Sequence, residues 1–315
     1  MNEFYRSIGV TKQAVHQHLA RHLKGTDEQE QLLRLVQQIR ADHPTMGLRD
    51  LYYKIRPSTM GRDKFEEFGK RMQLGSKIRR NQRRTTDSSG VIRFPNLLEG
   101  RVLTGINQIW QSDITYFEIG NRFYYLTFII DAFSRVIVGY SVSSRLLTSC
   151  TTLPALQMAI AYRKGMNLDG LILHSDGGGQ YYADDFLKYT SQLRIKNSMC
   201  EFAWENGKAE RINGVIKNNY LVHRSITSYS ELVKELDRTV QLYNREKPHI
   251  ELDRSTPVGF ENNYLYNSKK TTRTKQLRRD VRRPLEKGVT NSDPNNKRIA
   301  EQHAKIKRST RKLSE

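Results

Sequence analysis

The sequence has few of the residues that stabilise small secreted domains or span membranes. Cysteine occurs only at Cys150 and Cys200 in 315 residues, and neither lies in a CxxC pair. We therefore expect no disulfide framework and no cysteine-based zinc site. No apolar run approaches the roughly 18–20 residues that a membrane-spanning helix needs. The first residues, MNEFYRSIGV, lack the hydrophobic region of a signal peptide. The sequence predicts a protein of the reducing cytoplasm without a membrane segment.

Acidic residues are scarce relative to basic ones. The chain has 53 Lys and Arg against 33 Asp and Glu, a formal net charge of +20. Such a field attracts polyanions, with nucleic acid as the first expected partner and an anionic membrane surface as the second. Hydrophobic residues make up 37% of the chain, which is enough for one good core. The length predicts two or three domains.

Residues 1–72 predict a small all-helical domain that could bind DNA. Residues 1–24 predict two short helices around a turn, with Thr11 as a helix N-cap. This pattern is similar to the second half of a helix-turn-helix, and an ordinary helical hairpin explains it equally well. Residues 27–41 predict a separate amphipathic helix, with Leu32 and Val36 on its apolar stripe. Two more helices are expected between His43-Pro44 and residue 72.

Residues 73–105 predict a basic linker. The stretch from 70 to 84, KRMQLGSKIRRNQRR, has seven basic residues, no acidic residue and no apolar period. A segment of this kind can lie along a phosphate backbone, although a merely solvated linker has the same composition. Its candidate DNA contacts are Lys77, Arg79, Arg80, Arg83 and Arg84.

Residues 106–225 predict an α/β catalytic core. Three strand-like runs separated by short turns, QIWQSDITYFEI, RFYYLTFIIDAF and RVIVGYSVS, indicate an antiparallel meander. A helix with Pro154 in its first turn, a short strand LILHSD, a second helix, a fifth strand RIKNS and a third helix follow. This order is typical of a mixed five-stranded sheet flanked by helices.

Two further segments are predicted after the core. Residues 226–267 indicate a helical extension of it. Residues 268–315 form a basic tail with 16 Lys and Arg against 5 Asp and Glu. Because this tail has few apolar residues, we expect it to be flexible or an isolated helix.

Three acidic residues stand where acids are costly. Asp113 interrupts an apolar strand, Asp176 ends another, and Glu210 opens a helix. Carboxylates brought together in this way repel one another unless a cation lies between them. Mg²⁺ prefers oxygen ligands, and two such ions can clamp the attacking and leaving oxygens of a phosphoryl displacement. In a basic protein, this set predicts a nuclease or a polynucleotidyl transferase.

An ordered series of motifs extends over residues 106–261. They are WQSDITYF, IIDAFSRVIVGYSVS, LHSDGGGQYYADDF, SMCEFAWENGKAERINGVIKNNYL, YNREKPH and STPVGFE, and HPTMGLRDLYYKI precedes them. In these motifs the chain resembles transposases with a retroviral-integrase-type catalytic core. The resemblance is to the second-frame protein of the insertion-sequence-three family.

The resemblance implies a ribonuclease-H-like fold and an Asp, Asp, Glu metal site. Carried over by motif, its catalytic and metal-binding residues are Asp113, Asp176 and Glu210, with two Mg²⁺ ions or Mn²⁺ in their place. Asp176 and Glu210 have 33 residues between them, whereas the family more often has 35. Glu205 is the alternative for the glutamate, but Glu210 heads the helix that carries the family motif.

The implied activity is that of a metal-dependent DNA transposase. It cleaves the ends of an insertion sequence and joins them to target DNA. The alternatives are a ribonuclease-H-like nuclease that does not join strands and a catalytically silent DNA-binding regulator. Lys217 lies two helical turns after Glu210 and is a candidate phosphate contact. Arg211 and Asn213 are weaker candidates for DNA binding, because a solvated helix face explains them equally well.

The resemblance also implies partners and a location. The DNA partners are the element ends and the target, and paired ends imply a homo-oligomer. A helix-turn-helix protein from an upstream frame is a further expected partner or fusion. The implied place is the bacterial cytoplasm, in association with the nucleoid.

Several other residues favour a structural role. We expect Asp131 to cap a turn rather than bind metal. We expect His174 to be a hydrogen-bonded core residue on the opposite face of its strand from Asp176. Trp110 and Trp204 favour packing over base stacking.

Two motifs remain. The glycines of HSDGGGQYY do not have the spacing of a nucleotide-binding loop. They are expected to leave open backbone beside Asp176. The segment YNREKPH, with Lys247-Pro248-His249 at its end, favours a structural role.

Overall fold

A computed structural model describes residues 11–76, 94–200 and 203–282 of the protein. The chain divides into two compact units, residues 1–261 and 262–315. The described helices are α1 Lys12–Asp42, α2 Leu48–Ile55, α3 Arg62–Arg71, α4 Thr152–Tyr162, α5 Asp184–Gln192, α6 Gly207–Asn219, α7 Tyr229–Glu246 and α8 Pro257–Arg282. The strands are β1 Ile109–Ile119, β2 Arg122–Asp131, β3 Ile137–Ser143, β4 Ile172–Ser175 and β5 Lys196–Met199.

Helix α1 is longer than the sequence predicts. The sequence predicts a helix that ends near residue 24 and a separate helix over residues 27–41, but α1 runs without a break through Gly25. One glycine in a helix costs only about 1 kcal/mol, and the flanking Gln, Glu, Leu and Arg residues favour a helix. The prediction of Thr11 as N-cap is confirmed, since its hydroxyl accepts a hydrogen bond from Ala14 N at 3.1 Å. The predicted turn before residue 11 lies outside the described residues.

The three N-terminal helices share a small apolar core. Its buried members are Leu32, Val36, Met46, Leu51, Phe65 and Phe68. This helical region also contacts the rest of the first unit. His43 Nδ1 lies 2.9 Å from the Tyr220 hydroxyl, and Lys54 Nζ donates to Glu246 Oε2 at 2.9 Å. The boundary predicted at residue 72 stays a prediction.

The central sheet has the strand order β3-β2-β1-β4-β5. Strands β1, β2 and β3 form the predicted antiparallel meander, while β4 pairs parallel to β1 and β5 parallel to β4. The predicted mixed five-stranded sheet flanked by helices is confirmed. Strands β4 and β5 run parallel to β1, so their carboxyl ends lie together at one edge of the sheet, beside β1. Helix α6 begins near this edge.

One face of the sheet packs against α4 and α5. Trp110, Val138 and Leu173 from three strands join Leu156 and Phe186 in this core. The approach of α4 to β3 is close, since a Cβ at Gly139 would lie 2.1 Å from the carbonyl oxygen of Ala155. Only a residue without a side chain permits this contact.

The other face packs against α6 and α7. Phe128 and Ile130 of β2 contact Ile212 and Ile216 of α6, and Leu236 of α7 belongs to the same core. Helix α6 also lies against β1. This packing fixes the position of the helix whose first turn carries Glu210.

The described part of the predicted linker packs on the core, and the described part of the predicted tail is helical. Leu97, Leu98 and Leu103 pack against Ile109 and Ile172, so residues 94–105 belong to the core rather than to a free linker. Helix α8 continues as far as Arg282, which agrees with the helical alternative for the start of the tail. Residues 77–93 and 283–315 lie outside the described residues.

Candidate active site

The two predicted catalytic aspartates lie next to each other, one on β1 and one directly after β4, and these two strands pair in parallel. The last paired rung between β1 and β4 joins Ser112 to Ser175. Asp113 is the next residue on β1 and Asp176 is the first residue after β4, so the register brings them side by side at the end of β4. Asp113 is paired with Phe128 of β2, on the face of the sheet that α6 covers.

The Asp113 carboxylate is partly buried and surrounded by like charge. Oδ1 accepts a hydrogen bond from Ile114 N at 3.0 Å, and Oδ2 accepts one from Asn213 Nδ2 at 2.6 Å. Burial raises the pKa of Asp113 well above its usual range, and the charges of Asp176 and Glu210 raise it further. The hydrogen bonds from Ile114 and Asn213 oppose this shift. The carboxylate is therefore held in place but poorly compensated.

Asp176 has still fewer partners. Burial raises its pKa, and only a hydrogen bond from Gly178 N to Oδ1, at 3.3 Å, acts in the opposite direction. A Cβ at Gly178 would lie 3.1 Å from that same oxygen. A side chain at Gly178 would thus crowd the carboxylate, as the sequence analysis expected for this loop.

Glu210 stands in the first turn of α6 with an exposed side chain. Partial burial raises its pKa, and the charge of Asp176 adds to the shift. Glu205, the alternative glutamate, is engaged elsewhere, because its Oε1 accepts a hydrogen bond from Asn96 Nδ2 at 2.8 Å. The electrostatic coupling of Glu210 to both aspartates favours it for the third acidic position.

One face of α6 is directed towards the acids. Glu210, Asn213 and Lys217 recur at spacings of three and four residues, which places them on one side of a helix. Asn213 is buried and binds Asp113, while Lys217 Nζ donates to Thr115 Oγ1 at 3.0 Å and lies 4.7 Å from the centre of the Tyr116 ring. The alternative of a solvated helix face is therefore wrong for Asn213. Its contact with DNA, and that of Lys217, stay predictions.

Arg211 points in another direction. Its side chain is 69% exposed, and Nη1 lies 3.5 Å from Glu251 Oε1. The candidate DNA contacts of the linker, Lys77, Arg79, Arg80, Arg83 and Arg84, lie outside the described residues.

The donor set fits a hard divalent cation. The three acidic side chains offer carboxylate oxygens, which Mg²⁺ prefers, and the charges of the other two acids raise the pKa of Asp113. A cation would remove that repulsion. Within residues 11–76, 94–200 and 203–282, no three His, Cys, Asp or Glu side chains are already placed as a ligand set. The acids are thus electrostatically coupled without forming closed coordination geometry.

The sequence analysis missed Asn206. This buried residue precedes α6, and its Nδ2 donates to Ser112 O at 2.9 Å. It ties the start of the helix that carries Glu210 to the strand that carries Asp113. The only signal in the sequence was the residue type, because asparagine is common at the position just before a helix begins.

A second buried acid lies near the site but has different partners. Asp131 Oδ1 accepts hydrogen bonds from Phe133 N and Ser134 N, and Oδ2 accepts one from Asn107 N at 2.6 Å. Arg163 Nη2 lies 3.7 Å from Oδ2. The prediction that Asp131 caps a turn agrees with these contacts.

The prediction for His174 was right about burial and wrong about direction. The ring is fully buried, with Nδ1 2.9 Å from Ser198 Oγ. Burial lowers its pKa to about 4. His174 and Asp176 are two residues apart, however, so they share a face of the strand rather than opposing one another. Trp110 is buried in the core as expected, whereas the side chain of Trp204 lies outside the described residues.

Comparison with known families identifies the core. A family model described as an integrase core domain matches residues 104–203, and a second integrase core domain model matches residues 191–257. In the described residues no helix is long and apolar enough to cross a membrane.

Two relatives show how far the similarity extends. The insertion element IS600 31 kDa protein of Shigella sonnei is 32% identical over 267 residues, which cover 82% of this chain and 97% of that protein. The transposase InsF for insertion sequence IS3A of Escherichia coli K12 is 30% identical over 174 residues, which cover 54% of this chain and 59% of InsF. Among solved structures, the HTLV-2 integrase catalytic core domain in complex with magnesium is 23% identical, with a TM-score of 0.39, and the match covers 50% of this chain and 97% of that domain.

Proposed function

Because this chain belongs to the insertion-sequence-three family of transposases, we propose that it cleaves DNA at the ends of an insertion sequence and joins those ends to target DNA. It is an integrase-type enzyme, a polynucleotidyl transferase. Our proposal assigns the chemistry to Asp113, Asp176 and Glu210. The observation that carries it is the parallel register of β1 and β4, which sets Asp113 beside Asp176, and the raised pKa of Asp113, to which the charges of the other two acids contribute, agrees with it.

The three carboxylates would hold the metal. When bound, two Mg²⁺ ions, or Mn²⁺ in their place, supply positive charge at the attacking and leaving oxygens of an in-line phosphoryl displacement. Asp113 and Asp176 come from adjacent strands and Glu210 from α6, so each ligand is set by a different element of the core. Asn213 would hold the Asp113 carboxylate in one orientation through its short hydrogen bond to Oδ2.

The reaction would occur in two displacements at phosphorus. In the first, a water oxygen forms a bond to the phosphorus at the element end, and the bond to the 3′ oxygen breaks to leave a free 3′ hydroxyl. In the second, that hydroxyl attacks a phosphodiester of the target strand, and the target's own 3′ oxygen leaves. No protein nucleophile is needed in either step.

DNA would lie across α6 and the basic segments. Arg211 and Lys217 on α6 are proposed phosphate contacts, as are Lys77, Arg79, Arg80, Arg83 and Arg84 of the linker. Asn213 is retained as a candidate at the DNA end, because an amide can serve Asp113 and a nucleotide together. The overall charge of +20 favours such binding.

The organisation and partners of the protein are also proposals. We divide it into a helical DNA-binding region at 1–72, a linker at 73–105 whose last residues, 94–105, pack on the core, the core at 106–225, a helical extension at 226–267 and a basic tail at 268–315. Pairing of two element ends would require a homo-oligomer, and an upstream-frame helix-turn-helix protein would supply further DNA recognition. Chromosomal DNA as substrate would place the protein at the bacterial nucleoid.

The test uses single amide variants of the three acids. Asp113→Asn, Asp176→Asn and Glu210→Gln should each lower Mg²⁺-dependent cleavage of a donor-end duplex by about a thousandfold, since metal charge stabilisation contributes several kcal/mol. Glu205→Gln is the matched control and should retain activity. Retained cleavage in any of the three would remove that residue from the site.

A pre-cleaved donor end separates the alternative activities. Joining of this end to target DNA by the wild-type protein excludes a plain nuclease. Salt-dependent DNA binding without metal-dependent cleavage or joining would instead make the protein a catalytically silent regulator.

A further inference from the structure

A cavity lined mainly by polar residues lies on the side of α6 that faces away from Asp113, Asp176 and Glu210. Its volume is about 370 Å³. Its walls come from α6, from the segment 247–254 that follows α7, from Arg135, and from Asp50 of α2. All of these residues belong to the first compact unit. The cavity thus joins the N-terminal helical region to the catalytic core.

Cations outnumber acids in the lining of this cavity. The five cations are Arg135, Lys208, Arg211, Lys247 and Arg254, and the two acids are Asp50 and Glu251. Glu251 binds Arg135 at 2.7 Å and Arg211 at 3.5 Å. Asp50 binds Arg254 at 2.6 Å and lies 3.9 Å from Lys247. Two acids cannot neutralise five cations, so the cavity keeps a surplus of positive charge.

Buried polar atoms in the lining have no protein partner. In the described part of the chain, the Tyr243 hydroxyl, His249 Nε2 and Arg135 Nε are buried and make no hydrogen bond. Tyr243 is fully buried, and its ring lies edge-on to the His249 ring, with centroids 4.9 Å apart. A buried hydroxyl without a partner costs about 1–3 kcal/mol. These atoms are therefore suited to a polar ligand that enters the cavity.

The positive charges that line the cavity also lower the pKa of Lys247. Burial lowers the pKa of Lys247, and the charges of Arg211 and Arg254 lower it further, against the opposing effect of Asp50. An anion in the cavity would reverse these repulsions. A divalent cation would increase them.

Helix α6 carries different residues on two faces. Glu210, Asn213 and Lys217 lie on the face towards the acids, whereas Lys208, Arg211 and Val215 lie about half a turn away and line the cavity. A DNA strand that reaches Glu210 therefore passes close to the first turn of α6, where the exposed side chain of Arg211 lines the cavity.

We propose that this cavity is a second phosphate-binding site, which holds a backbone phosphate of the DNA strand away from the phosphate that reacts. Lys247 and Arg211 supply charge, and the Tyr243 hydroxyl donates a hydrogen bond to a phosphate oxygen. The segment 247–254, which follows α7, thereby has a binding role as well as a structural one. This assignment rests on the proposed function, because it takes DNA as the ligand.

The experiment measures DNA binding without metal, so that it does not depend on catalysis. A donor-end duplex is titrated with the full chain in EDTA over a range of salt concentrations. Lys247→Gln should weaken binding about tenfold and reduce the salt slope by about one, as expected when one phosphate contact is lost. Lys234→Gln removes a charge from an exposed position on α7 and is the matched control, with little change in slope.

Tyr243→Phe provides a variant that keeps the packing of the core. It should weaken DNA binding several-fold while leaving the unfolding midpoint in urea unchanged or higher, since the variant removes an unpartnered hydroxyl. A purely structural Tyr243 would leave DNA affinity unchanged. Equal affinities and slopes for wild type, Lys247→Gln and Tyr243→Phe would overturn the proposal, even if the wild type cleaves donor ends normally.

Inorganic phosphate identifies the source of the ligand. If DNA occupies the cavity, phosphate should compete with the duplex more strongly in the wild type than in Lys247→Gln. Phosphate that raises the melting temperature of the wild type, with DNA binding insensitive to Lys247→Gln, would assign the cavity to a free anion and overturn the DNA assignment. A wild type that binds DNA as expected but does not cleave it would contradict the proposed function alone.

Discussion

Asp113 and Asp131 lie three rungs apart in the same pair of strands, yet the protein treats the two carboxylates differently. Burial raises the pKa of both. Three backbone N–H groups and Arg163 surround Asp131. Asp113 has one backbone N–H and one amide, with two further acids nearby. The fold surrounds the Asp131 carboxylate with hydrogen-bond donors and an opposite charge, whereas the Asp113 carboxylate has fewer such partners.

The difference separates a structural acid from a functional one. In the structural corner, Asp131, Arg163 and Glu261 form a buried group in which every charge has an opposite neighbour. Burial lowers the pKa of Arg163, but the bonds to Glu261 and the charge of Asp131 outweigh it and leave that pKa raised. In the carboxylate site, the described partners of Asp113 and Asp176 are hydrogen-bond donors and the charge of Lys217, which interacts with Asp113, so a bound cation would supply the remaining compensation.

The largest expected effect tests the structural corner. Arg163→Met should destabilise the protein by about 3–5 kcal/mol, because it leaves Asp131 and Glu261 buried without a cation. Urea unfolding followed by circular dichroism measures the loss. The control is Arg238→Met, which removes a half-exposed arginine with surface partners and should cost less than about 1 kcal/mol. Equal losses in the two variants would remove the distinction between the regions.

The next effect concerns Asn213, whose amide donates a hydrogen bond to the Asp113 carboxylate. Asn213→Ala should lower donor-end cleavage by about 10–100-fold, the usual result of removing a group that orients a metal ligand. The lost hydrogen bond no longer opposes the raised pKa of Asp113, so the acid limb of the pH–rate profile should move to higher pH. Asn219→Ala, at the end of the same helix, is the control. A lower rate with an unmoved profile would make Asn213 a packing residue.

The carboxylate site should also appear in the pH dependence of stability. Asp113, Asp176 and Glu210 have raised pKa values in the folded protein. The folded state therefore keeps protons that the unfolded chain has released, and stability without metal falls as pH rises from the unfolded towards the folded pKa values. Relative to wild type, Asp113→Asn should gain stability over that interval and then stay constant.

Mg²⁺ provides the complementary measurement. It should raise the melting temperature of the wild type more at pH 7 than at pH 5, since ligation requires ionised carboxylates. In Asp113→Asn the increment should be smaller at both pH values. A pH-independent increment of equal size in both proteins would show that Mg²⁺ acts elsewhere.

The smallest effect concerns the glycine loop. Gly178→Ala places a Cβ 3.1 Å from Asp176 Oδ1, so the carboxylate or the loop must shift by a few tenths of an ångström. We expect a loss of cleavage of about threefold to tenfold, on the order of 1 kcal/mol. Gly25→Ala, where nothing lies within 4 Å of the new Cβ, should leave cleavage unchanged. A rate equal to wild type would mean that the loop adapts without cost.

Much of the fold could be predicted because its signals are local. The turn at Gly120-Asn121 and the alternating apolar runs indicate the meander, and Pro154 marks the first turn of α4. The error at Gly25 arose because a single glycine is a weak break in a helix with otherwise favourable residues. The His174 error came from the strand period, since residues two apart share a face.

The candidate site could be predicted only in part. Motifs identified the acids, but the hydrogen bond between Asn213 and Asp113 spans 100 positions of sequence, and that between Asn206 and Ser112 spans 94. Such pairs depend on how α6 packs on β1. The cavity beside Tyr243 was missed for the same reason, because its lining combines α2, α6 and the segment after α7.

The parallel register of β1 and β4 has a consequence for the timing of folding. Asp113 and Asp176 become neighbours only when this pairing closes, and it joins positions 63 residues apart in the sequence, the kind of contact that forms slowly. Glu210 follows Asp113 by 97 positions. At a synthesis rate of about 5–20 residues per second, roughly 5–20 s separate these two residues on the ribosome. During that interval the nascent chain has Asp113 but not Glu210, so the proposed catalytic centre is incomplete.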